Sequence, residues 1–103
     1  MTRTIYHGEI VGSTDAAQMP SVTFRWGYVK AQSGNSGSVY IGSSSDVAVV
    51  GSTDTNETCG YEMDAGDVIV LDFYPLVDRY NLNENWYISD NAGDDLTYYL
   101  VDW

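Results

Sequence analysis

At 103 residues the chain has the length of one domain, and 44% hydrophobic content with three Trp, nine Tyr and two Phe excludes a disordered polymer. Four Lys and Arg against fifteen Asp and Glu give a formal net charge of -11, a surface that repels phosphate backbones and argues against nucleic-acid binding. The single cysteine, Cys59, excludes an intrachain disulfide, and no run reaches the roughly 18–20 apolar residues of a membrane span.

The charge is unevenly spread. Residues 1–45 hold Arg3, Arg25 and Lys30 against Glu9 and Asp15, whereas residues 46–103 hold Arg79 against thirteen acids. The N-terminal part is near neutral and the rest strongly anionic. An anionic surface keeps crowded copies apart. The start, MTRTIYHGEIVGS, lacks an apolar run of signal-peptide length, so the expectation is a soluble product of a cytoplasm.

Taken in chain order, the elements read as strands. Thr4–Val11 predicts a first strand. In SVTFRWGYVK, Val22, Phe24, Trp26 and Tyr28 alternate with Thr23, Arg25, Gly27 and Val29, which predicts a half-buried strand with an aromatic inner face. In NSGSVYIGSSSDVAV, Val39–Ile41 and Val47–Val50 predict two short strands joined by a serine-rich turn. Asp67–Tyr74 is apolar on both parities at its start, as in a strand buried on both faces, and Pro75 ends it for want of a ladder donor. Leu76–Leu82 is the one stretch that admits a helical turn. Asn85–Ser89 and Leu96–Val101 flank DNAGDD, a hairpin-turn signal. Turns about every 8–12 residues predict an all-β chain, a small antiparallel β-sandwich or jelly-roll-like barrel formed as one domain over residues 1–103. Residues 1–12 read as an N-terminal docking arm or an edge strand.

Chemistry-bearing motifs are weak. His7 is the only histidine, and no serine sits in a G-x-S-x-G elbow. Cys59 has no basic sequence neighbour to activate it as a nucleophile. DTNETCGYEMD and DNAGDD gather the hard oxygen ligands that suit calcium, but neither has EF-hand spacing, and such clusters are more often Asx-type turns. The glycines of NSGSVYIG lead into a strand with no lysine following, so they do not form a phosphate cradle. With fifteen acids, carboxylate pairs arise by chance and do not signal a glycosidase. Trp26, Trp86, Trp103 and the tyrosines leave sugar stacking open. The Asn56–Thr58 sequon carries no weight without a secretory signal. No enzyme, cofactor or metal site is expected.

The second half carries a resemblance. GSVYIGSSSDV, then GYEMDAGDVIVLDF, then NLNENWYISDNAGDDLTYYLV run in an order similar to the small β-domains of tailed-phage virion proteins, especially capsid decoration (cement) and head-fibre proteins. The resemblance spans about residues 38–101, with Met63 standing where the pattern usually has leucine. It implies a virion structural protein on the capsid surface, synthesised in the host cytoplasm. Its partner would be the major capsid protein, and the chain would be a homo-oligomer, with a trimer favoured. The near-neutral N-terminal residues Arg3, Ile5 and Tyr6 are the expected capsid or subunit interface. Removing residues 1–12 is expected to abolish docking and spare the fold. Within the resemblance, Met63 would anchor one end of the Ala65-Gly66-Asp67 turn, Val68 and Val70 the other, and Tyr40, Trp86 and Tyr98 would stack on one face. The alternative reading is a carbohydrate- or receptor-binding module of a tail or fibre.

Overall fold

The computed structural model describes residues 3–49, 58–73 and 78–103. Among these residues ten strands follow in order: β1 (Thr4–Ile10), β2 (Ala17–Gln18), β3 (Thr23–Phe24), β4 (Trp26–Ala31), β5 (Val39–Gly42), β6 (Tyr61–Met63), β7 (Val68–Asp72), β8 (Tyr80–Asn81), β9 (Trp86–Ser89) and β10 (Leu96–Asp102). The first sheet has the order β1-β10-β4-β7, the second β2-β9-β5-β6, and β3 and β8 form a small ribbon. Every pair of named strands is antiparallel. The chain is all-β, and its two main sheets share one core, as in a small sandwich.

That core is built by period-two burial from both sheets. Ile10, Val29, Ala31, Leu71, Leu96 and Leu100 come from the first sheet, and Val39, Ile41, Met63 and Tyr87 from the second. Met19, Phe24 and Leu82 close it at the rim. Leu82 opens a 3-10 turn, Leu82–Glu84, capped reciprocally by Asn81 and Glu84. Tyr80 packs edge-on against Phe24, with centroids 5.7 Å apart, and tilts over Phe73 at 4.6 Å.

Several expectations are corrected. The aromatic stretch is two strands rather than one: Thr23–Phe24 pairs with β8, and Trp26–Ala31 pairs with β10 and β7. The break at Arg25 resets the alternation. Phe24 is buried, but beyond it the inward residues are Gly27, Val29 and Ala31, leaving Trp26 and Tyr28 on the outer face. Gly27 has to be glycine, because a Cβ there would run into the Tyr99 carbonyl oxygen and the Leu100 side chain.

β7 is an edge strand, not one buried on both faces. Leu71 enters the core, while Val68 and Val70 are exposed and do not anchor the turn before them. Met63, by contrast, is fully buried as expected. Between Val47 and Val49 there is only an isolated bridge from Ala48 to Cys59, and Val50 lies outside the described residues. The expected helical turn over Leu76–Leu82 falls partly outside them, and the observed one begins only at Leu82. Pro75, Asn56 and most of the 51–58 loop are outside them as well.

DNAGDD is not a hairpin turn. β9 belongs to the second sheet and β10 to the first, so this loop carries the chain from one sheet to the other. For the same reason Tyr98, on β10, does not share a face with Tyr40 and Trp86, on the adjacent strands β5 and β9. Of the two readings of the N-terminal residues, the edge strand is the one seen: β1 lies at the edge of the first sheet, pairs along seven residues with β10 and buries Ile10, so its removal would open the core.

Candidate docking surface

The outer face of the first sheet follows from strand register. Ile5, Val101, Trp26 and Asp72 form one cross-strand row, and His7, Tyr99, Tyr28 and Val70 the next. Glu9, Thr97, Lys30 and Val68 form the third. Exposure is large for apolar groups: Val70 57%, Ile5 50%, Val68 47%, Tyr99 37% and Trp26 36%. Tyr28 and Tyr99 stack with centroids 5.8 Å apart and planes at 19°, and Trp26 meets Tyr28 edge-on at 6.3 Å. A contiguous apolar patch of this kind on a small protein marks an interaction surface. Its charges nearly cancel, with Glu9 and Asp72 against Lys30 on a chain of net charge -11.

The acids are concentrated at one end of the sandwich, where three loops switch sheets. In the 64–67 turn, Asp67 N–H donates to the Asp64 carbonyl at 2.9 Å and Gly66 takes φ +87°. The Asp67 side chain accepts the Asp64 N–H at 2.9 Å, and the turn docks on Ala31 through two backbone bonds. In the 32–38 loop, Ser38 Oγ donates to Asp64 Oδ1 at 2.6 Å and Ser38 N–H to Asp90 Oδ2 at 2.8 Å.

The third loop, 90–95, contributes Asp94, 1% exposed. Its carboxylate accepts Ser36 N–H at 2.9 Å, Gly37 N–H at 3.2 Å, Asn91 N–H at 3.1 Å and Asn91 Nδ2 at 2.9 Å. Burial pushes the Asp94 carboxyl up, but the donors from Gly37, Asn91 and Ser36 outweigh it and hold the group below its ordinary value. These acids are turn-builders, and among the described residues no three His, Cys, Asp or Glu converge as metal ligands. Tyr40 OH donates to Glu62 at 3.3 Å beside this cluster; burial, then Asp90 and Glu62, raise its pKa.

The opposite end holds the arginines. Asp102 accepts Arg79 Nε at 3.1 Å and lies 3.9 Å from Arg25 Nε, while Arg25 also reaches Asp78 at 3.2 Å and sits over the Trp103 ring. The linear charge split of the sequence thus becomes a spatial one. One end is acidic, the other compensated, and a largely apolar face whose few charges nearly cancel runs between them.

Of the residues expected at an interface, Ile5 joins the outer face. Arg3 is exposed just ahead of it. Tyr6 is exposed but points to the other side of β1. The sequence reading missed Trp26, Tyr28, Tyr99, Val68 and Val70. The signal was parity: Trp26 and Tyr28 share theirs with Lys30, and Val68 and Val70 share theirs with Asp72, charged groups unsuited to an inner face. His7 lies exposed opposite Tyr99. Cys59 is half-buried beside a hollow of ≈ 260 Å³ lined by Ile41, Ser44, Asp46, Val47 and Thr58. Neither protein-family models, curated proteins nor solved structures give a match to this chain.

Proposed function

We propose that this chain is a structural binding protein of a phage virion, a capsid decoration protein that docks on the capsid exterior and stabilises it, without enzymatic activity. The observation that carries the reading is the outer face of the first sheet: an exposed apolar and aromatic surface, nearly balanced in charge and uncovered by the described residues, on a protein that is otherwise strongly anionic. Such a face docks through apolar burial while the acidic end keeps neighbouring copies apart. The resemblance over residues 38–101 supplies the partner, the major capsid protein. The test is occupancy imaged on the parent particle: density contacting the capsid through the Trp26–Tyr99–Val70 face supports the reading, and density contacting it through another face refutes it.

A carbohydrate-binding module is the second reading, favoured by the exposure of Trp26. The ring geometry counts against it. Tyr28 and Tyr99 spend their facing π-surfaces on each other, and Trp26 meets Tyr28 edge-on, so these rings do not lie flat on the sheet as a sugar platform requires. Binding on a glycan array that Trp26→Ala abolishes would favour this second reading over decoration.

A further inference from the structure

We infer that two copies of this chain join through β1, pairing antiparallel about a two-fold axis at Tyr6 to make one continuous eight-stranded sheet. β1 is an edge strand of the first sheet. Thr4, Ile5, Tyr6 and His7 are exposed on both faces of the strand, and among the described residues no backbone group pairs with its free edge. An uncovered seven-residue edge is a template for another strand.

Charge selects the occupant and the register. Arg3 makes no ion pair among the described residues, and Glu9 lies at the other end of the strand. With Tyr6 on the axis, residue 3 of one copy faces residue 9 of the other. Each Arg3 then meets the partner copy's Glu9, twice by symmetry and on the same outer face as Ile5 and His7. Glu9 already accepts Gln32 Nε2 at 2.7 Å, and a carboxylate has lone pairs left for a second donor. The same arrangement lays the arginine end of one copy beside the acidic end of the other.

The other edges do not complement themselves. β7 is bracketed by Asp67 and Asp72 with no cation, β2 has two residues, and β6 has three that include Glu62 and precede Asp64. The inference does not rest on the capsid reading. It replaces the three-fold assembly implied by resemblance with a two-fold one.

Sedimentation of the full chain tests it, with the single variants Arg3→Glu and Glu9→Arg and the double variant. The inference predicts a dimer that each single reversal weakens by about tenfold or more, because the change enters twice, and that the double reversal restores. A cross-linking arm covers variants that fold poorly. In a Cys59→Ser background, Tyr6→Cys places two thiols opposite each other within disulfide range, whereas Thr4→Cys does not. Oxidised dimers from Tyr6→Cys and not Thr4→Cys support the register. A monomeric wild type, an oligomer indifferent to both reversals, or equal cross-linking at both positions would overturn it.

Discussion

Tyr28 and Tyr99 stand directly opposite each other on β4 and β10, their rings stacked 5.8 Å apart on the face turned away from the core. The pair stiffens a surface on which none of the described residues packs from outside the sheet. Cross-strand aromatic pairs of this kind contribute about 1 kcal/mol beyond area burial. A double-mutant cycle of Tyr28→Ala and Tyr99→Ala is therefore expected to give a coupling of about 1 kcal/mol in chemical unfolding. Additive losses would show that the stacking does not hold the sheet.

Asp94 ties the 32–38 loop to the 90–95 loop from a buried position. Asp94→Ala leaves the N–H groups of Ser36, Gly37 and Asn91 without their acceptor and is expected to cost about 3 kcal/mol, read as a fall in the denaturant midpoint. The charge of this group also sets an acid limit. Its folded pKa lies below its unfolded value, so its contribution is fully present above the unfolded value and is lost as pH falls through the folded one. Stability should therefore decline from about pH 5 downward, and the decline should be shallower in Asp94→Ala. Equal acid slopes in the two proteins would assign the acid limit to other carboxylates.

Two glycines separate backbone conformation from space. Gly66 has φ +87° and open surroundings, so Gly66→Ala should cost about 1 kcal/mol through backbone strain alone. Gly27→Ala meets the Tyr99 carbonyl and the Leu100 side chain in the centre of a sheet, and should cost about 2–3 kcal/mol. Thermal melts that rank the two the other way would contradict the packing of β4 on β10.

The sequence carried the strand content and most strand positions, because period-two alternation survives wherever one sheet face meets a core. It did not carry which side faced in. The break at Arg25 shifts parity by one residue, and a one-residue shift exchanges the whole face. That single step moved Trp26 and Tyr28 from the expected core to the surface. The Asp-rich loop after β9 misled for a different reason. Asn91–Asp94 does form a turn, with Asp94 N–H on the Asn91 carbonyl at 3.0 Å, yet local turn chemistry does not say whether the next strand returns to the same sheet. Here the buried Asp94 side chain binds the 32–38 loop, and β10 continues in the opposite sheet.

Core truncation should be costly despite the small size of the protein. Met63, on β6 of the second sheet, and Leu82, at the rim, are both fully buried in the one core, and Met63→Ala or Leu82→Ala is expected to lose about 2–5 kcal/mol. Calorimetry of the two variants should show one cooperative transition at lower temperature. Two separate transitions would mean that the sheets do not share a core.

The docking claim is tested most directly by Val70→Asp. Val70 is 57% exposed in the middle of the edge strand β7, on the outer face beside Tyr28, so a carboxylate there should leave the melting temperature close to wild type while placing charge in the contact. In co-sedimentation with tailed-phage capsids, the partner proposed above, wild type should pellet with the capsids and Val70→Asp should stay in the supernatant. Equal pelleting of both proteins, or none of the wild type, would contradict the account.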